Sequence, residues 1–309
     1  MMADYSNDFH LEYADGSCRI GFRCFDTPNS VAIYGVDAYS PATEDLLLEV
    51  RRLCLDLHRL WSFSLEGSDI WRINQQALRI EVDPRTVKLL EVMKGLNELE
   101  PRFDFTVGPL SFFWKRAKGL PSQQEIEREL RLVGAQKVWT RGNCVCKAFP
   151  EVQVDIGAVA KGYIADLIAA LLRERGVHCA DIDLGGNLYM MGKHPSGRPW
   201  RVSVLIPEGV SVDPLVLEVE DASVVTSGVY ERFVQIDGKR YQHIIDPCTG
   251  WPADSDFVSA TVVSDSSCLA DALATVLLMT GSAGFDDFAA RHADCRLVAI
   301  TNDGRVLRS

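Results

Sequence analysis

The order of the secondary-structure signals constrains this chain most. From residue 178 onward, β-branched and apolar runs succeed one another at 178–183, 187–191, 200–206, 215–219 and 231–236, with no helical period between them. Asp237-Gly238 separates two such runs, a strong hairpin signal. Residues 257–263 read as a strand and 265–280 as a helix, and the chain closes as helix, strand, Asn302-Asp303-Gly304 turn, strand. Upstream, residues 18–25 and 29–36 read as a hairpin joined by Asp26-Thr27-Pro28. The helical period then takes over. Pro41 to Leu60 puts Leu46, Val50, Leu53, Leu57 and Leu60 on one face, and Val82 to Leu99 and Gln123 to Leu132 follow. Ser122 and Glu125 have the spacing of a capping box. Strands are expected around 135–155, including Val152 and Val154, and then a helix over about 159–175 that stops at Gly176. Strands and helices grouped in blocks do not alternate as βαβ units. The expected class is α+β, with mixed or antiparallel sheets flanked by helices. No repeat, linker or shift of composition divides residues 1–309, so one domain is expected.

Charge narrows the function. The chain has 43 acidic and 32 basic residues, a net charge of −11, and no basic run longer than Arg51-Arg52. Duplex nucleic acid and anionic membrane surfaces need clustered Lys and Arg, so neither is an expected partner. No apolar run approaches membrane-spanning length, so no membrane insertion is expected. The first twenty residues show neither a basic, apolar leader nor a lipid-attachment setting around Cys18, which leads to an expected cytoplasmic location. Nine scattered cysteines without a C-x-x-C agree with reduced thiols.

Five segments could carry chemistry. In 155-DIGAVAKGYIAD-166 a strand runs through a glycine turn into a helix start, where amides attract anions and Lys161 adds a point charge. The plain alternative is a capped turn, with Asp155 as the cap and Lys161 in solvent. In 270-ADALATVLLMTG-281, Asp271 and Thr275 share a helix face and offer two hard oxygens to a Mg²⁺ ion. The alternative is again local: Asp271 caps amides and Thr275 bonds back to a carbonyl. The pair 226-TSGVYERF-233 and 241-YQHIIDPCTGWP-252 places His243 on a strand entering a tight Asp-Pro turn, either a structural histidine or an acid–base group. The compact run 102-RFDFTVGPL-110 holds an acid, a threonine and what reads as a Gly-Pro turn, and 183-DLGGN-187 has two glycines that let backbone approach a neighbour or ligand.

Taken in order, these segments, with SDIWRIN at 68–74, resemble the FAD:protein FMN transferase family, also called ApbE-type flavin transferases. The resemblance implies an ApbE-like flavin transferase fold. It implies Mg²⁺-dependent transfer of the FMN half of FAD to a Thr or Ser hydroxyl of an acceptor protein, with release of AMP. The acceptor would carry a segment of the type Asp/Ser-Gly-Ala-Thr/Ser. Carried over by position, the Ala158 carbonyl, Asp271 and Thr275 would hold the metal, and Asp155, Lys161, Phe103, Asp104 and the Ile245 backbone would contact FAD. Phe25 and the strip Ser62 to Ser64 match places near the flavin or adenine. His243 is the candidate to activate the acceptor hydroxyl, and Asp271 joins it as a catalytic residue through the metal. Cys248 stands where many relatives are basic, and Ala274 where some carry a second acid. Two rival functions are an FAD pyrophosphatase, with water replacing the hydroxyl, and an FAD-binding protein without turnover.

Overall fold

The computed structural model describes residues 8–229, 233–236 and 238–309. In chain order its strands and helices are β1 (Phe9–Ala14), β2 (Ser17–Cys24), β3 (Thr27–Tyr34), α1 (Pro41–Trp61), α2 (Asp69–Ile73), β4 (Arg79–Glu81), α3 (Pro84–Leu99), α4 (Gly108–Arg116), α5 (Gln123–Leu130), β5 (Val138–Arg141), β6 (Cys144–Lys147), α6 (Ala160–Glu174), β7 (Ala180–Leu184), β8 (Asn187–Met191), β9 (Trp200–Ser203), β10 (Val216–Val219), β11 (Ala222–Gly228), β12 (Phe233–Ile236), β13 (Lys239–Gln242), β14 (Phe257–Ser264), α7 (Ser267–Thr280), α8 (Phe285–Arg291), β15 (Arg296–Thr301) and β16 (Val306–Arg308). The α+β expectation holds. A nine-stranded sheet runs β1-β2-β3-β7-β8-β11-β14-β15-β16, antiparallel at every junction.

Alternation along the central strands explains how both faces of this sheet are covered. On β11 and β14, Val225, Ala260 and Val262 belong to the main core, against which α1, α6 and α7 pack. Val224 and Val263 point the other way, to Trp200, Val202 and Val219 of the β9–β10 ribbon. Helix α1 starts at a Ser40 cap with Pro41 in its first turn. Its buried stripe includes Leu46, Leu47, Val50, Cys54, Leu57 and Trp61, so Leu53 and Leu60 lie at the stripe's border rather than at its centre. The expected capping box of α5 is present: Ser122 and Glu125 satisfy each other's amides.

Several expectations change. The first hairpin turns at Phe25-Asp26, both left-handed with φ 55° and 61°, and Pro28 lies inside β3. Gly108-Pro109 is not a turn but the start of α4, where proline's missing N–H costs nothing. Strands β1 and β11 and helix α2 were not anticipated. Residues 152–155 join no strand. Their backbone groups are satisfied instead by the Asn74 side chain, which accepts from Val154 N at 2.8 Å and donates to Val154 O at 2.9 Å. Asp155 N donates to Phe105 O at 2.7 Å. Tyr230, Glu231 and Arg232 of the 226–233 segment, and Asp237 of the expected hairpin turn, lie outside the described residues.

Candidate active site

A cavity of about 590 Å³ lies where the N-terminal end of α6, the inner face of α7, the β7–β8 turn and the 243–247 segment meet. Segments more than 100 residues apart in the chain thus converge. Of the residues singled out in the sequence, Phe103, Asp104, Asp155, Ala158, Lys161, His243, Ile245, Asp271 and Thr275 all line it. Phe25 and Ser64 do not, although each has a neighbour at the edge. Phe63 lines the cavity, and Thr27, just past the Phe25 turn, packs on Gly185, which lines it too.

Helix α7 is held at its start by a carboxylate from α6. Asp166 accepts from Ser266 Oγ (3.0 Å), Ser267 N (2.7 Å) and Cys268 N (3.0 Å). Burial raises the Asp166 pKa, and these hydrogen bonds oppose the rise. One turn on, Asp271 is buried, and its Oδ2 accepts from Gly162 N of α6 at 3.0 Å. It therefore braces the neighbouring helix rather than capping its own. Thr275 does bond back locally, donating to Asp271 O at 3.3 Å, and its hydroxyl lies 3.5 Å from Ser227 Oγ. Gly162 makes the helix contact possible, because a Cβ there would sit 2.3 Å from Ser267 O.

The turn before α6 is less open than a bare helix N-terminus. Asp155 Oδ1 accepts from Gly157 N at 2.9 Å, Val159 and Ala160 donate to Ile156 O, and Gly162 N is taken by Asp271. An anion here meets few spare amides, which shifts the burden to Lys161 and to any bound cation. Lys161 is half-buried, not in solvent, and its Nζ donates to Gly185 O at 3.4 Å. Gly185 and Gly186 form the β7–β8 turn at φ 59° and 88°, with Gly186 N donating to Asp183 Oδ1 at 2.8 Å. Asp104 already has partners within the protein: Oδ1 accepts from Thr106 N and Oγ1 in its own loop, and Oδ2 accepts from Ala135 N, 31 residues on. Below His243, Arg102 donates to Asp246 Oδ2 at 2.6 Å and to Met279 O at 3.3 Å, tying the Asp-Pro turn to the end of α7. Phe63, Asn187, Thr226 and Ser227 also line the cavity; they lie inside segments singled out in the sequence but had no individual role there. The last two lie on β11, which sets Ser227 against Thr275 of α7 and Thr226 beside Thr261 of β14.

The charged lining comprises four carboxylates, Asp104, Asp155, Asp183 and Asp271, against Arg102, Lys115 and Lys161. No cluster of three or more His, Cys, Asp or Glu suited to a metal occurs among the described residues. A hard cation served by one carboxylate, a hydroxyl and a carbonyl needs no such cluster, since a phosphate ligand and water complete it. Asp271, Thr275 and Ala158, the residues the resemblance points to, all line the cavity.

The model of the ApbE family matches residues 25–299. An FAD:protein FMN transferase of Vibrio cholerae is 31% identical over 275 residues, spanning 85% of this chain and 81% of its own. One from Klebsiella pneumoniae is 33% identical over 249 residues, spanning 77% and 76%. Among solved structures, the flavin transferase ApbE from Vibrio cholerae superimposes with a TM-score of 0.83 at 27% identity, covering 97% of this chain and 98% of that one. The apo flavinyl transferase ApbE of Pseudomonas stutzeri gives 0.82 at 26% identity, covering 100% and 96%.

Proposed function

The chain belongs to the ApbE family, and from that premise we propose that it transfers the FMN half of FAD to a Thr or Ser hydroxyl of an acceptor protein and releases AMP. The observation that carries this reading is the convergence of Asp155, Ala158, Lys161, His243, Asp271 and Thr275 on one cavity. The acceptor oxygen bonds to the FMN phosphorus, the bond between the two phosphates breaks, and AMP leaves with the electron pair. The acceptor is expected to present its hydroxyl in an Asp/Ser-Gly-Ala-Thr/Ser-type segment.

The charges of the lining explain why a cation belongs here. A diphosphate entering a wall with four carboxylates and three basic groups meets net repulsion. Each unit charge pair at about 4 Å is worth on the order of 4 kcal/mol at an effective dielectric of 20. Asp271, Thr275 and the Ala158 carbonyl would hold Mg²⁺, which when bound neutralises the diphosphate and polarises the phosphorus under attack. Lys161 moves from Gly185 O to a phosphate oxygen, an exchange that a half-buried, single-bonded ammonium makes readily. Half-buried on the cavity wall, His243 takes the proton of the acceptor hydroxyl. All nine cysteines are unpaired, which supports a reducing compartment and a cytosolic acceptor.

One incubation tests the reading: protein, FAD, Mg²⁺ and an acceptor domain carrying such a segment, with controls lacking metal or acceptor. The expected result is AMP together with an FMN mass adduct on the acceptor, both dependent on Mg²⁺. AMP and free FMN without an adduct would replace the transferase by a pyrophosphatase. FAD that persists intact in the complete mixture would replace it by a binding protein.

A further inference from the structure

Lys147 ends β6 on the core side and is 2% exposed. Its ammonium donates to four backbone carbonyls: Ile73 O (2.7 Å), Gln75 O (2.9 Å), Pro150 O (2.8 Å) and Val152 O (2.9 Å). Among the described residues it forms no ion pair. Burial pulls its pKa down to about 8. The Glu151 charge opposes that shift, and the direct hydrogen-bond partners suit the ammonium. Four carbonyl oxygens can only accept, while an ammonium has three N–H bonds and a neutral amine has two, with a lone pair facing oxygen. A buried charge surrounded wholly by backbone oxygens is an arrangement that a bare monovalent cation would also satisfy.

The carbonyls come from two stretches far apart in the chain. Residues 73–75 flank Asn74, whose amide holds Val154 on both its N–H and its C=O. Residues 150–152 lead directly into Asp155 and the turn to Ala158. Since 152–155 has no strand partner, its position is set by Asn74, by Phe105 O and by this ammonium. We propose that Lys147 is a built-in monovalent cation: its four carbonyls form a cation site, and by filling it Lys147 acts as a positioning residue for the Asp155–Ala158 turn. The role of that turn in FAD binding rests on the function proposed above; the cation site does not.

The test shortens the side chain and offers ions in its place. Hydrogen–deuterium exchange over residues 150–158 and the thermal midpoint are measured for Lys147→Ala and for Lys88→Ala, an exposed control, in choline, lithium, potassium or ammonium chloride at equal ionic strength. In choline the Lys147 variant should exchange at least about tenfold faster than the native chain over 150–158, the change that losing one charged hydrogen bond carries. Ammonium and potassium should recover most of that loss, and the control should respond to neither. Equal exchange in choline and in ammonium would overturn the cation site. If the variant does not fold, ¹⁵N-lysine spectra of the native chain decide. A slowly exchanging NH₃⁺ coupled across hydrogen bonds to the carbonyl carbons of residues 73, 75, 150 and 152 is expected, and a neutral amine would refute the proposal. Ion rescue of exchange without any FMN transfer would count against the function and leave the cation site standing.

Discussion

Replacing Gly162 by alanine sets two effects of opposite sign against each other. Gly162 lies in the first turn of α6, and helix propensity alone favours alanine by up to about 1 kcal/mol. The structure predicts the reverse. A Cβ at this position would lie 2.3 Å from Ser267 O, 2.7 Å from Ser267 C and 2.8 Å from Cys268 Cα. Ordinary Cβ contacts start at 3.4 Å, so the shortfall to the carbonyl is about 1.1 Å, and the obstacle is backbone rather than a side chain that can swing away. Overpacking of this kind costs about 1–3 kcal/mol. Prising α6 from α7 also stretches the bond from Gly162 N to Asp271, a charged hydrogen bond of about 1.5–3 kcal/mol when wholly lost. The net expectation is destabilisation by about 2–4 kcal/mol, with Mg²⁺-dependent FAD binding weakened because Asp271 moves with its helix. Urea unfolding with a common m-value gives the first quantity and titration with FAD the second. Gly95 in α3 has nothing within 4 Å of its would-be Cβ, so Gly95→Ala should stabilise by about 0.5–1 kcal/mol. A Gly162→Ala protein as stable as the native one would refute the claim that this contact sets the helix spacing.

Asp271→Asn keeps an oxygen for Gly162 N but removes the charge, so the thermal midpoint should hold within a few degrees while, on the proposed function, Mg²⁺-dependent turnover falls by at least about a hundredfold; unchanged turnover would remove Asp271 from the proposed metal site. Arg102→Met strips Asp246 of its 2.6 Å partner and should cost about 1–3 kcal/mol by thermal unfolding, with faster exchange over 243–250. The hydrogen bond from Arg85 holds the Asp83 carboxyl below its ordinary 3.8. A depressed carboxyl contributes stability above its unfolded value and loses it as pH falls through the folded one, so Asp83→Asn should lower stability near neutrality and lose that difference below about pH 4, which flattens the acid limb; equal stability of the two chains at pH 7 would refute it.

The fold class was legible in the blocks of strand and helix signals, whereas Asp155, Lys161, Asp271 and Thr275 each also read as a capped turn or a local helix bond and stood out only through the order of the segments; the fold brings all four to one cavity. Strand β11 was hidden because Ser223 and Thr226 give it polar side chains at strand positions. Only the fold shows that Ser223 meets Ser267 at the start of α7 and that Thr226 meets Thr261 on the neighbouring strand. Helix α4 was hidden by Gly108-Pro109, a pair that serves equally for a turn and for a helix start. Gly108 packs against Gln153 O, where a Cβ would be 2.7 Å away, and no local pattern reports that contact. Residues 152–155 alternate like a strand, yet their partner is the side chain of Asn74, some 80 positions earlier. Side-chain mimicry of a ladder leaves no period to read.

The junction of β3 with β7 bears on how the chain is made. Asn29 to Ile33 pair with Ala180 to Leu184, while β1 and β2 cover only the other edge of β3. During synthesis at about 5–20 residues per second, the open edge of β3 waits roughly seven to thirty seconds for β7 to leave the ribosome. That edge includes Val31, Ala32 and Ile33, all buried in the finished sheet. For that interval the nascent chain carries a sticky strand template, which makes it a natural client for chaperones that shield extended apolar segments.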